Sequence, residues 1–190
     1  LVPESIDGVI VPVAASTTHV AYSTLRMEPL WMGIGQAAGL AASLSVRNNT
    51  PIREVKMADL QRQLVESGQI LTYFDDLDPD DKAHKAAQFW GTKGFFGSYK
   101  AELRRAVTGA ELNRWIALFT ETAESAKTAP AVAEIEKVTR EEFGKVLEQL
   151  GIPTANHDAG YYDHTAGGQE VLRGEVCMTL FAALSPDSNL

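Results

Sequence analysis

Arg26-Met27-Glu28-Pro29-Leu30-Trp31-Met32-Gly33-Ile34-Gly35-Gln36-Ala37-Ala38-Gly39-Leu40-Ala41-Ala42 is the stretch on which the reading of this 190-residue chain turns. Proline is at home in the first turn of a helix, where its missing N–H costs nothing, so the helix is expected to open at Pro29 with Glu28 as its cap. It then runs free of charge until Arg47, and Asn48-Asn49-Thr50-Pro51 ends it. A helix that is apolar all round belongs in an interior, and small residues at Gly35, Ala38, Gly39 and Ala42 would let other backbones come close. Its mouth gathers unpaired N–H groups and the positive end of the dipole, with Arg26 and Glu28 beside them. Such a mouth suits a phosphate, a carboxylate or the electron-rich edge of a ring.

Working outward, Val9-Ile10-Val11-Pro12-Val13 follows a turn signal at Ile6-Asp7-Gly8 and reads as a short buried strand. Ala14 to Arg26 is a polar connection, and a second helix spans roughly Met57 to Glu66, with Leu60 and Leu64 on one face, ending at Gly68. Beyond Leu71 the character changes. An acidic run, Asp75-Asp76-Leu77-Asp78-Pro79-Asp80-Asp81, leads into an amphipathic helix with Ala83, Ala86, Ala87 and Trp90 on one face. The domains are therefore expected at 1–72 and 73–190. The charge is uneven in the same way: six acids and five bases before residue 73 (net −1), against nineteen and twelve after it (net −7).

The second part carries three similar hexads, Val107-Thr108-Gly109-Ala110-Glu111-Leu112, Val138-Thr139-Arg140-Glu141-Glu142-Phe143 and Val171-Leu172-Arg173-Gly174-Glu175-Val176, beginning 31 and 33 residues apart. Each should open a helix, the first two through Thr–Glu capping boxes. Apolar residues follow at helical spacing, Leu112/Trp115/Ile116/Phe119 and Phe143/Val146/Leu147/Leu150, with Val176/Thr179/Leu180/Ala183 as a degraded third set. Three helices that cannot bury their faces singly should share one core. The fold class expected is mainly α: a strand–loop–helix remnant of an α/β domain, then a helical domain of weak three-fold repeat.

Composition excludes several functions. A net charge of −8 leaves no basic stripe for nucleic acid. The single cysteine, Cys177, rules out an intrachain disulfide and makes no cysteine-based metal site. The apolar run at 30–46 is short for a membrane span and holds Gln36, Ser43 and Ser45, so a buried helix is the expected reading. Gly33-Ile34-Gly35-Gln36-Ala37-Ala38 has the letters of a dinucleotide fingerprint, but Pro29 has already opened the helix and Val13 lies about twenty residues upstream; a working fingerprint follows its strand directly. Asp76, Asp78 and Asp80 mimic the start of a calcium loop, yet Asp81 and Ala87 stand where glycine and glutamate are needed. Helix-start acids, with Asp78 as cap, explain the run. His157, Asp158, Asp163 and His164 lack helical ligand spacing, so no metal is expected. The mouth itself allows two readings: Arg26 orients an anion, or it makes an ordinary surface pair with Glu28. His19, between strand end and helix, is either a proton-exchanging group or a structural histidine.

Ser16, Thr18, His19, Arg26, Met27, Glu28, Pro29, Met32, Gly35, Gln36, Ala37, Ala38, Gly39 and Ala42, closed by Gly68-Gln69-Ile70-Leu71, resemble the C-terminal end of the flavin-binding domain of FAD-dependent oxidoreductases. The bacterial set often labelled xanthan lyase is the most similar branch. The resemblance implies a cofactor-facing mouth made by Arg26, Glu28, Pro29, Leu30, Trp31 and Met32, with FAD bound in the full-length protein and hydride passing between substrate and flavin. It also implies a missing partner, the N-terminal strand–GxGxxG–helix half, without which neither tight FAD binding nor turnover is expected. Residues 73–190 resemble S-layer homology modules through Phe74-Asp75-Asp76, Ala83-His84-Lys85-Ala86, Gly94-Phe95-Phe96 and Thr139-Arg140-Glu141-Glu142, with Gly109 where that family has arginine. That resemblance implies binding of cell-wall polysaccharide or another partner through Arg140, in an extracytoplasmic, periplasmic or cell-surface setting. A purely structural helical domain is the third reading.

Overall fold

The structure, a computed structural model, describes residues 1–124, 130–153 and 169–184. The chain divides into two compact units, Leu1–Ile70 and Leu71–Leu190. Among the described residues it is mainly helical, with seven α-helices and only isolated β-bridges.

In the first unit, α1 (His19–Leu25) occupies what reads in sequence as a polar connection. Thr18 starts it, its hydroxyl accepting the Ala21 amide at 3.2 Å. The strand expected at Val9–Val13 does not form. Val9 and Val13 are 39% and 54% exposed, and the Val11 amide donates to the Leu1 carbonyl. A strand exists only through a neighbour's hydrogen bonds, and this unit supplies no neighbouring strand.

Helix α2 (Glu28–Asn48) has Met27 rather than Glu28 at its N-cap and ends on Asn49 in the left-handed conformation, φ 50°. It is not buried all round. Ala38, Ala41 and Leu44 are buried on one side, against α1, a 3₁₀ turn (Ile52–Glu54) and α3 (Met57–Glu66). On the other side Met32 and Val46 are 75% and 81% exposed. The close approach also lies elsewhere than the small-residue pattern suggests, and it is made by a side chain. A Cβ added at Gly35 or Gly39 would meet nothing within 4 Å, whereas one at Gly33 would sit 3.3 Å from Gln69 Nε2. That amide donates to the Gly33 carbonyl, and Gln36 Nε2 donates to Ser67 Oγ, tying α2 to the turn after α3. Gly68, at φ +88°, makes that turn.

In the second unit α4 (His84–Thr92) packs on α7 (Arg173–Ala183). Its core is a column of rings: Trp90 stacks on Phe95 at 4.3 Å between centroids, and Phe95 on Trp115 at 4.7 Å. Both indole N–H groups are satisfied, Trp90 by the Cys177 carbonyl and Trp115 by that of Phe95. The acidic run does not cap α4 through Asp78, because the helix begins later. Asp81 accepts the Ala83 amide instead, and the Asp76 carboxylate takes the amides of Ala101 and Glu102 at 2.7 and 2.8 Å.

The three hexads open α5 (Gly109–Thr122), α6 (Arg140–Leu150) and α7. Thr108/Glu111 and Thr139/Glu142 form capping boxes. At the third hexad Glu175 accepts the Leu172 amide, while leucine returns no side-chain bond. The opening valines are joined in a ring. Val107 N–H donates to the Val171 carbonyl, Val171 N–H to Val138, and Val138 N–H to Val107, at 2.9–3.0 Å. All three valines are fully buried, and the ring satisfies peptide groups that would otherwise be costly to bury.

Candidate functional site

Two places gather chemistry, one in each unit. The first is the junction of α1 and α2. Arg26 ends α1, its amide donating to the Tyr22 carbonyl, and Met27 begins the turn into α2. Arg26, Glu28, Pro29, Leu30 and Met32 are exposed, and Trp31 is partly buried. Of the backbone donors expected at the mouth, Pro29 has none, and the amides of Leu30 and Trp31 both donate to the Met27 carbonyl, at 3.0 and 3.2 Å. This overlap of three- and four-residue bonds in the first turn narrows the free donors to the amide of Glu28 and the guanidinium of Arg26. No ion pair joins Arg26 to Glu28 among the described residues. Trp31 Nε1 is buried and lacks a partner, as do Gln61 Oε1 and Gln69 Oε1 in the same unit. His19 is exposed at the opposite end of α1. Seven residues of helix put it roughly 10 Å along the axis from Arg26, so the structure does not bring these two together.

The second place is the set of arginines on the hexads. Arg140 pairs with Glu175, whose side chain is 1% exposed, at 2.6 Å. Arg173 is buried over the rings of Phe96 and Trp115, and pairs with Glu102 at 3.0 Å and Glu111 at 3.8 Å. Each of these arginines thus reaches a glutamate that caps the next hexad in the ring. Arg105 completes the network against Glu102 and Glu111. Burial pushes the Glu111 carboxyl up, but the hydrogen bonds from Arg105 and Thr108 and the charges of Arg173 and Arg105 outweigh it and hold it below the ordinary range. Burial works against the charge of Arg173, partly countered by Glu111. Sequence reasoning singled out Arg140 and missed Arg173 and Arg105. The hexads carry a signal for Arg173, arginine at the third position of two and glutamate at the fifth of all three, whereas Arg105 lies outside them.

Gly109 fills the third position of the first hexad for a steric reason. Its amide donates to the Ile135 carbonyl, and any Cβ there would run into the Ala133 carbonyl oxygen. Asn113 holds that segment with two bonds of 2.8 Å to the backbone of Val132. A shallow cleft beside the arginine network is lined by Thr139, Arg140, Glu141 and Gln169.

Among the described residues no group of three or more histidine, cysteine or acidic side chains could hold a metal ion. The His157, Asp158, Asp163 and His164 cluster lies outside them. Burial pushes the Cys177 thiol far up, so it is an unreactive core residue. No described helix is long and apolar enough to cross a membrane.

No curated protein and no solved structure matches the chain. Residues 1–64, which hold the α1–α2 mouth, match the family described as FAD dependent oxidoreductase, so the first unit is similar to part of such an enzyme.

Proposed function

We propose that residues 1–70 are the closing portion of the flavin-binding domain of an FAD-dependent oxidoreductase, completed by polypeptide that precedes Leu1, and that 71–190 form an appended helical module. One observation carries this reading: the uncovered face of α2. Met32, Gly35, Gly39, Ala42 and Val46 fall on one side of the helix at intervals of three, four, three and four residues. Helix faces in water are normally polar, and each glycine costs a helix about 1 kcal/mol relative to alanine. Two glycines at which an added Cβ would meet nothing within 4 Å, beside exposed Met32 and Val46, make sense when another backbone packs on that face. On this reading that backbone is the strand–GxGxxG–helix half that holds the ADP end of FAD, a reading that the family match over residues 1–64 supports.

The residues at the mouth fit the cofactor's electron-rich ring edge. Arg26 is exposed and outside any ion pair with Glu28, the Glu28 amide is available, and Trp31 Nε1 is a donor without an acceptor. FAD, when bound, supplies the hydride chemistry. Arg26 and the Glu28 amide would hold negative charge, and Pro29, Leu30, Trp31 and Met32 would shape the wall, with His19 outside the mouth at the far end of α1. The chain by itself is not expected to retain FAD. The test is the longer gene product, purified and examined for flavin absorbance. A yellow protein that loses its flavin on Met32→Asp, and whose flavin potential falls on Arg26→Ala, supports the reading; a folded, colourless protein overturns it. The xanthan-lyase label belongs to this proposal as its narrower form.

A second reading rests on the cleft at Thr139, Arg140, Glu141 and Gln169: an S-layer-homology-like module that binds wall polysaccharide outside the cytoplasm. Because Arg140 also neutralises buried Glu175, Arg140→Ala would confuse binding with folding. Retention on purified wall polysaccharide, compared between the parent chain and Gln169→Ala, tests it without touching that pair; equal failure of both to bind leaves a structural module.

A further inference from the structure

Among the described residues of the second unit only two aromatic side chains are exposed, Phe96 and Phe181 being partly buried. Phe74, Phe89, Trp90, Phe95, Trp115, Phe119 and Phe143 are buried, whereas Tyr73 and Tyr99 are 67% and 73% exposed. The two lie together, ring centroids 6.0 Å apart and edge to face. They flank a shallow groove lined also by Thr72, Gly91, Phe96 and Ser98. Its walls are fixed. The Asp75 amide donates to the Tyr99 carbonyl at 2.9 Å, and the amides of Leu71 and Thr72 donate to the Oε1 of buried Gln88 at 2.9 and 2.8 Å. The floor is fixed too. Phe74 packs edge-on against Phe96 at 5.0 Å, and a Cβ at Gly91 would come within 2.8 Å of Thr72 Oγ1.

From this groove we infer a binding site for a proline-rich peptide in the polyproline II conformation. Such a segment has rigid, apolar rings and solvated carbonyls, and is bound by aromatic grooves with few donors. The groove offers those features. The aliphatic hydroxyls are already engaged, Thr72 Oγ1 with the Gln88 carbonyl and Ser98 Oγ with Lys100. Among the described residues no carboxylate, amide or cationic side chain lines it. A sugar would bring a fan of hydroxyls to a surface with little to receive them, whereas a proline ring needs only a ring face. The two exposed phenols remain to donate to peptide carbonyls. Charge sets the flank: Asp75 and Asp78, two and five residues after Tyr73, are exposed and match a basic residue beside the prolines.

The test uses the whole 190-residue chain and a fluorescent peptide with two Pro-Pro pairs between arginines, titrated by polarisation. Saturable binding is expected, weakened about tenfold or more by either Tyr73→Ala or Tyr99→Ala, and weakened by added salt. Tyr99→Phe should keep most of the stacking and lose the donor, giving an intermediate value. Circular dichroism and urea unfolding confirm that the alanine variants stay folded, which exposed side chains predict. Absence of binding, or binding that both alanine variants leave intact, overturns the inference. Saturable binding of neutral oligosaccharides at the same tyrosines, in place of the peptide, overturns it equally.

Discussion

The two units spend the same kinds of residue in opposite ways. Of the fourteen large hydrophobic side chains exposed among the described residues, twelve lie before residue 71, and only Tyr73 and Tyr99 after it. The first unit buries Ala38, Ala41, Leu44, Leu64 and Val65 and leaves buried polar atoms on Trp31, Gln61 and Gln69 without partners. The second stacks three aromatic rings, closes a backbone ring through three valines and pairs its buried glutamate and arginine. The lesson concerns apolar surface: the second unit keeps its large hydrophobic side chains inside while the first leaves them in solvent, and buried polar atoms without a hydrogen bond occur in both, Arg173 Nε among them.

The hardest blow to that contrast should come from Trp115→Ala. Trp115 is fully buried, stacked on Phe95 and hydrogen-bonded through its indole. Its loss should cost the second unit about 3–5 kcal/mol, measured as an early urea transition. Unfolding of the first unit in step with the second would break the picture of separate units. Next in size is Gly109→Ala, where the added methyl must displace the Ala133 carbonyl. Overpacking of this kind costs about 1–3 kcal/mol, and thermal melting should show it; a neutral result would mean that the segment around Ala133 gives way freely.

Acid should also find the second unit. The Glu111 carboxyl is held below its ordinary value, so its contribution is complete above the usual carboxylate pKa of about 4.3. It fades as the pH falls through the lower, folded-state value. Melting temperatures followed from neutral to acidic pH should drop in the parent chain and less so in Glu111→Gln, whose neutral-pH stability is already reduced. Equal acid slopes in the two proteins would remove Glu111 from the account. The smallest effect sharpens the comparison most. Gly39→Ala fills open space on a helix, so it should stabilise this chain by about 0.5–1 kcal/mol and, on the proposed function, weaken flavin retention in the whole enzyme. Stabilisation of both would mean that nothing packs on that face.

How much of this was legible beforehand differs by interaction range. Helix α3 spans Met57–Glu66, the residues its apolar spacing marks. The boxes at Thr108/Glu111 and Thr139/Glu142 form as read, because hydroxyl and carboxylate lie three residues from the groups they serve. Beyond that range the reading failed in particular ways. Val9–Val13 has strand composition but no strand beside it. The polar segment after it holds α1, started by the Thr18 cap, which a Ser/Thr-rich composition disguises as a loop. Gly35 and Gly39 suggested close packing, yet the contact falls on Gly33 because the turn after α3 returns on that side.

The candidate site divides the same way. Arg26, Glu28 and Pro29 were identifiable as a helix mouth from local rules, though not that Met27 would take up the amides of Leu30 and Trp31. Arg140 stood out by its place in a hexad, but its partner Glu175 is 35 residues away. Sequence alone determined where α3 runs, where the capping boxes of α5 and α6 fall and where charge changes, since these follow from neighbours within a turn or two. Tertiary structure alone decided which glycine is crowded, which glutamate an arginine meets and which tyrosines stay in solvent. Those outcomes depend on what distant segments place within a few ångströms, and contact energies act only at that range.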